Sequence, residues 1–229
     1  MRALIRTAFP IVLGVVLGIS LAAGPAQADR AGAHYRKGLA YKDQGKIDKA
    51  IAEFEKAVAE RDSHVLAWAS LGHLYKKKKQ YDLAVSAYEK ATMASQKNPA
   101  LWANLGMAYY RADRVDEAIT ALEKSCHLDP ENPEVHANLG TLKRKKGQIP
   151  AALRHLRYAV KLRPKDAVYR SNLGVAYRAG KDYKGAVAAF KQAIQLDPKV
   201  AEFHFNLGVA YRRQEMIDEA IAAYEQATV

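Results

Sequence analysis

"NLG", Asn138-Leu139-Gly140, decides the fold, because the same tripeptide stands at 104–106, 172–174 and 206–208. Each copy lies 34 residues from the next. Gly72 in "SLGHLY" and Gly38 in "RKGLAY" extend the register backwards, so six glycines share it. A fixed period of this size marks an architecture of stacked units, each too small to bury its own apolar face.

With the glycine taken as position 8, the units run 31–64, 65–98, 99–132, 133–166, 167–200 and a partial 201–229. Position 7 is leucine in all but the first, where Lys37 departs. Position 11 is Tyr41, Tyr75, Tyr109, Tyr177 and Tyr211, with Lys143 departing in the fourth. Position 20 is always alanine, and position 24 is always large: Phe54, Tyr88, Leu122, Leu156, Phe190 and Tyr224. Apolar residues at helical spacing give two helices per unit, as in "AVYRSNLGVAYRAG" and "DYKGAVAAFKQAIQL" of the fifth. Small residues at positions 8 and 20 let the two approach closely. Asp48, Asp82, Asp116 and Asp218 open the second helix, where its dipole favours negative charge. Pro150 takes that place in the fourth unit, where a first helical turn tolerates proline. Pro130, Pro164 and Pro198 at position 32 stop the second helix.

These positions resemble the tetratricopeptide repeat, whose pattern runs W–LG–Y–A–F–A–P, with Trp68 and Trp102 in its tryptophan slot. The resemblance covers 31–229. It implies an all-α, right-handed α-solenoid of about six helix-turn-helix repeats, the first helices lining a concave groove.

The N-terminus reads differently. Arg2 and Arg6 precede the apolar run "AFPIVLGVVLGISLAAG", and "AQA" precedes Asp29. This is the pattern of a secretory signal peptide over 1–28, cut after Ala28, with the repeat solenoid over 29–229. The expectation is an exported protein, periplasmic or extracellular. It would meet the membrane only through the signal segment if that stays uncleaved. The whole chain carries a net charge of +12; loss of Arg2 and Arg6 with the leader leaves +10. Such a balance favours an anionic partner, and export makes that partner a protein or an envelope polymer, with no nucleic acid.

In the resembling family, positions 2, 5, 6, 9, 12 and 13 of the first helix face the groove. Position 6 is asparagine in four consecutive units: Asn104, Asn138, Asn172 and Asn206. An amide both donates and accepts, so a ladder of amides can hold an extended backbone without reading its sequence. The arrangement is similar to the asparagine ladders of O-linked N-acetylglucosamine transferase and kinesin light chain, which implies extended polypeptide along the groove. Positions 12 and 13 add Lys42, Lys76, Lys77, Arg111, Arg144, Lys145, Arg178, Arg212 and Arg213, opposed there by Asp43 alone. A basic stripe of this kind steers acidic ligands. Of these, Arg111, Arg144, Lys145, Arg178 and Arg212 are the candidates for charge selection. The carboxylate clamp of co-chaperones does not fit, since positions 5 and 9 are mostly small or apolar.

No catalytic or metal-binding motif is present: there is no HExxH, no CxxC and no glycine-rich phosphate loop. The expectation is no enzyme, no cofactor and no metal. His34, His136 and His204 share position 4 and read as packing residues, while His64 and His155 read as surface residues. Cys126, the single cysteine, shares its register with Val58, Thr92, Val160, Ile194 and Thr228, and reads as a buried hydrophobe.

The function expected is a non-enzymatic scaffold that binds an extended, acidic or polar polypeptide in the cell envelope. Two alternatives stand beside it. The C-terminal repeat carries no polar cap, which suits self-assembly into a homo-oligomer. The chain could also be the repeat domain of a larger transferase-type enzyme.

Overall fold

The structure, a computed structural model, describes residues 25–228, with side chains from Asp29. The leader expected at 1–28 lies outside the described residues, except that the backbone of 25–28 forms the start of a helix. Twelve helices and no strand occur among the described residues. They are α1 (Pro25–Asp43), α2 (Ile47–Glu60), α3 (Val65–Lys77), α4 (Tyr81–Ala94), α5 (Pro99–Arg111), α6 (Val115–Leu128), α7 (Pro133–Lys145), α8 (Ile149–Leu162), α9 (Ala167–Ala179), α10 (Tyr183–Leu196), α11 (Ala201–Arg212) and α12 (Ile217–Ala227). None of them is long and apolar enough to cross a membrane. Each helix packs on the next in the chain, α7 and α11 also touch α9, and α3 touches α5. The contacts are thus sequential, as a solenoid requires.

The odd and even helices pair through the glycine of position 8. A Cβ on Gly72 would stand 2.8 Å from the Tyr88 ring, and one on Gly174 would stand 2.7 Å from the Phe190 ring. At Gly140 it would overlap Leu156 Cγ and lie 3.1 Å from the Ala152 carbonyl oxygen. The large side chains of position 24 fill the space the glycines leave; Phe54, Leu122, Leu156 and Phe190 are wholly buried.

Every turn from odd to even helix has one geometry. Position 15 adopts a left-handed conformation in all six units: Gly45, Lys79, Asp113, Gly147, Lys181 and Glu215, with φ between 60 and 74°. The N–H of position 16 donates to the carbonyl of position 11, as from Gln80 to Tyr75 and from Asp182 to Tyr177, both at 2.9 Å. The N–H of position 15 donates to position 12, as from Lys181 to Arg178 at 3.0 Å. These two bonds close a Schellman turn and satisfy carbonyls that a helix end leaves open. Four of the six left-handed residues carry a Cβ, which costs roughly 1 kcal/mol each.

Position 4 ties each unit after the first to the loop before it. The indole N–H of Trp68 donates to the Asp62 carbonyl at 2.6 Å, and that of Trp102 to the Gln96 carbonyl at 2.8 Å. His136 Nε2 and His204 Nε2 meet the Pro130 and Pro198 carbonyls at 2.9 Å, and Arg170 donates to that of Pro164. The histidines thus pack as expected and also take over the tryptophan's hydrogen bond.

Position 11 reaches back to position 25 of the preceding unit. Tyr75 and Tyr109 donate their hydroxyls to Glu55 and Glu89, and burial with this contact pushes the Tyr109 hydroxyl up to about 12. Lys143, which departs from the tyrosine pattern, keeps the partner: its Nζ lies 2.6 Å from Glu123.

The first unit carries Glu53 where four of the other five have alanine, and Lys37 where all five have leucine. Glu53 on α2 is buried and accepts from His34 at 2.7 Å, Lys37 at 3.0 Å and Lys56 at 3.1 Å. The His34 contact, ahead of those from the two lysines, holds its carboxyl down at about 2. The folded value lies below the ordinary 4.5, so this group stabilises above about pH 4.5 and its contribution fades as the pH falls towards 2. Glu53→Gln is expected to lower stability by about 1–3 kcal/mol at pH 7. Denaturant titrations from pH 7 down to 3 should show the gap to wild type narrowing; a constant gap would mean that the charge is immaterial.

At the other end, Phe205, Ile217 and Ile221 are about half exposed. The residues equivalent to Ile221 in the first three units, Ile51, Val85 and Ile119, are buried beneath the next repeat.

Candidate peptide-binding groove

The basic stripe arises from helix ends. Positions 12 and 13 are the last turn of each odd helix, where the dipole favours cations. The same place in every unit then lines up along the stack.

The structure divides the stripe in two. In the N-terminal part, Lys42, Lys76 and Lys77 surround His73, whose imidazole is held below its ordinary value by burial first and then by Lys76, Lys42 and Lys77. Arg111 lies close enough to depress Lys76, after burial. In the C-terminal part, Arg144, Arg178 and Arg213 converge from α7, α9 and the end of α11. Burial lowers the Arg178 guanidinium, and the neighbouring Arg144 and Arg213 add to this.

A cleft of about 600 Å³ opens beside those arginines. It is lined by Arg144, Arg178, Lys181 and Arg213, with Val175, Phe205 and Val209 as its apolar surface. No acid lines it. Positions 5, 9, 12 and 13 of three consecutive units therefore share one concave surface. Among the described residues, none of the nine stripe cations takes part in an ion pair; every such pair uses another cation.

The candidates do not all behave alike. Lys145 is held by Tyr110: its Nζ donates to the hydroxyl and sits 4.5 Å from the ring centroid. Arg212 lies apart, in a terminal cleft that also contains Glu202. Arg111 shares its surroundings with Asp82 and Asp113. Arg144 and Arg178 are the two that meet in an acid-free cleft.

The asparagines also divide. Asn104, Asn138 and Asn172 are half-buried, and among the described residues their amides have no hydrogen-bond partner. Asn206 is buried, and its Oδ1 accepts from Arg178 Nη1 at 2.9 Å. The last rung is thus bound to the stripe itself. Lys181 and Tyr183, which line the cleft, were not among the sequence candidates; the left-handed turn at position 15 puts them there.

Two histidines and Cys126 differ from expectation; the cysteine, expected as a buried hydrophobe, is only half-buried. His64 reads as a surface residue in the sequence, but it is buried. It caps α3, its Nδ1 accepting from Ala67 N at 3.3 Å, and packs on Tyr35 at 4.9 Å between centroids. The cap position calls for an acceptor, and a neutral imidazole supplies one. His155 is half-buried rather than at the surface, because it packs on His136.

Comparison with known proteins places this geometry. No curated protein matches the chain in sequence. Solved structures do. The crystal structure of MamA protein superposes with a TM-score of 0.67 at 25% identity, covering 71% of this chain and 89% of that one. Cut9, in the Cut9–Hcn1 hetero-tetramer of the APC/C, gives 0.66 at 25% identity, covering 87% of this chain and 40% of that one. YrrB, described as a TPR protein with an unusual peptide-binding site, gives 0.69 at 21% identity, over 80% and 90% of the two chains. Residues 13–229 match the family described as the cilia and flagella-associated protein 70 C-terminal domain. With six glycine-keyed helix pairs and that match over nearly its whole length, the chain belongs to this tetratricopeptide-repeat family.

Proposed function

We propose that the chain is a non-enzymatic interaction scaffold, exported to the cell envelope, that holds an extended anionic polypeptide along its groove. The observation that carries this reading is the convergence of Arg144, Arg178 and Arg213 on an acid-free cleft with an apolar surface. Cations gathered without counter-charges repel one another, and an anionic ligand relieves that repulsion. The open amides of Asn104, Asn138 and Asn172 supply backbone contacts beside it. Val175, Phe205 and Val209 offer apolar surface to alternate side chains. Proteins of this fold class are typically interaction mediators, and Cut9, a neighbour in structure, is found bound to Hcn1. Export rests on the basic, apolar and small-residue pattern of 1–28.

Fluorescence anisotropy with a labelled glutamate-rich peptide tests the reading. Wild type is expected to bind with an affinity that falls steeply as salt rises. Arg144→Glu/Arg213→Glu should weaken binding by about tenfold or more. Asn138→Ala/Asn172→Ala should weaken it without altering the salt dependence. Equal affinities for wild type and the charge-reversed variant would sink the proposal.

A further inference from the structure

The fourth unit departs from its neighbours at two positions at once. Position 23 is alanine at Ala87, Ala121, Ala189 and Ala223 but His155 in this unit, and position 4 is His136 where the two preceding units have tryptophan. The structure brings the two imidazoles together, Nδ1 to Nδ1 at 3.0 Å. Cys126, near the end of α6, completes the group, its Sγ 3.6 Å from His136 Nε2. One donor atom from each of the three residues lies within 4.8 Å of the others.

We propose that Cys126, His136 and His155 bind a borderline-to-soft transition metal ion, with zinc(II) as the reference ion. A thiolate and two imidazoles are the donor set such ions prefer, and hard cations such as magnesium or calcium do not. Around a tetrahedral zinc, nitrogen and sulfur donors stand about 3.3–3.6 Å apart, as bond lengths of about 2.0–2.3 Å require. The two Nδ1 atoms, 3.0 Å apart, already stand near that size; the Cys126 sulfur lies beside His136 Nε2 and has to swing towards the Nδ1 side to complete the set.

The hydrogen bonds point the same way. His136 is 8% exposed, and its Nε2 lies 2.9 Å from the Pro130 carbonyl oxygen. A carbonyl only accepts, so the proton of His136 sits on Nε2 and the lone pair on Nδ1, the atom that faces His155. A ligating histidine that donates its other N–H to a backbone carbonyl is the usual outer-sphere arrangement of metal sites. Here it comes from the position-4 bond that every neighbouring tryptophan makes. Without an ion, His155 Nδ1–H donates to His136 Nδ1. On binding, the ion takes both lone pairs, the His155 proton shifts to its other nitrogen, and the Cys126 thiol proton leaves to solvent as the sulfur ligates. Glu123 and Asp129 are the acids near Cys126 and favour a cation there, while Lys143, itself paired with Glu123, and Arg154 oppose it at His155. The Tyr158 ring, 4.6 Å from that of His136 between centroids, closes one side of the group. Three protein donors leave the fourth position to water, which half-buried Cys126 keeps within reach.

The test is calorimetric titration of the reduced, metal-free full chain with zinc(II), together with cobalt(II) as an absorption probe. Wild type is expected to bind one ion per chain and to show a thiolate-to-cobalt charge-transfer band. His155→Ala and Cys126→Val install residues that neighbouring units already carry at those positions, so both variants should fold. Each is expected to lose the band and to bind zinc at least about 100-fold more weakly, since loss of a mere outer-sphere partner costs about 10–100-fold. No saturable binding by wild type, or undiminished binding by either variant, would overturn the proposal. His136→Trp with His155→Ala recreates the pairing of the third unit and should match the single variants in losing the ion while keeping the helical content.

Discussion

Gly140→Ala is expected to destabilise the protein by about 1–3 kcal/mol, although alanine is the better helix former by about 1 kcal/mol. The propensity gain is outweighed by contact. The added methyl would overlap Leu156 Cγ, a branch point that cannot swing aside, and would press on the backbone oxygen of Ala152 at 3.1 Å. Leu156 is wholly buried, so α7 and α8 would have to part. Leu156→Ala alone should cost about 2–5 kcal/mol through the cavity it leaves. The double variant is the decisive measurement. Leu156→Ala removes the branch that the methyl added by Gly140→Ala would strike, and that methyl fills part of the cavity. The double variant should therefore be more stable than the sum of the singles predicts by about 1–3 kcal/mol. Urea unfolding followed by circular dichroism reads all three. Strict additivity, or a Gly140→Ala variant more stable than wild type, would show that the two helices do not meet through this pair.

That contact was legible in the sequence, since glycine at position 8 and a large residue at position 24 recur in all six units. So were the helix pairs, because a 34-residue period of apolar residues leaves few other solutions. Relations between units were not. Position 11 meets position 25 of the unit before it, so Lys143 looks like a defect until Glu123 appears at 2.6 Å. The left-handed turn residue was hidden because only Gly45 and Gly147 announce it; Lys79, Asp113, Lys181 and Glu215 are held there by two backbone bonds that no side chain reports. The groove was half legible. Counting cations at positions 12 and 13 gave the stripe, but not that Tyr110 holds Lys145 or that Arg178 holds Asn206. Those pairings depend on the offset between stacked helices, which residue spacing within one unit does not contain. His155 escaped for a different reason: its partner His136 stands in the same unit, 19 residues back on α7, and only the packing of α7 on α8 brings positions 4 and 23 together, with Cys126 joining from the end of α6.

Arg178 should separate binding from stability more sharply than any other residue of the groove. It is half-buried between Arg144 and Arg213, its charge unmatched by any acid in the cleft, and its interior contact is the bond to Asn206 Oδ1. In Arg178→Gln the repulsion and the desolvation both disappear, while the new amide can still donate towards Asn206. The two effects oppose each other, so stability should change by no more than about 1 kcal/mol. Affinity for an acidic peptide has no such compensation. The central cation of the three is lost, and binding should weaken about tenfold, or about 1.4 kcal/mol, with a shallower salt dependence. Arg178→Lys keeps the charge without the planar fork and should fall between. A cation kept at a repulsive site because a ligand needs it gives this pattern of unchanged folding and impaired binding. A cation kept as a strut for Asn206 gives the reverse: Arg178→Gln would lose several kcal/mol of stability, and peptide affinity per folded molecule would stay as in wild type.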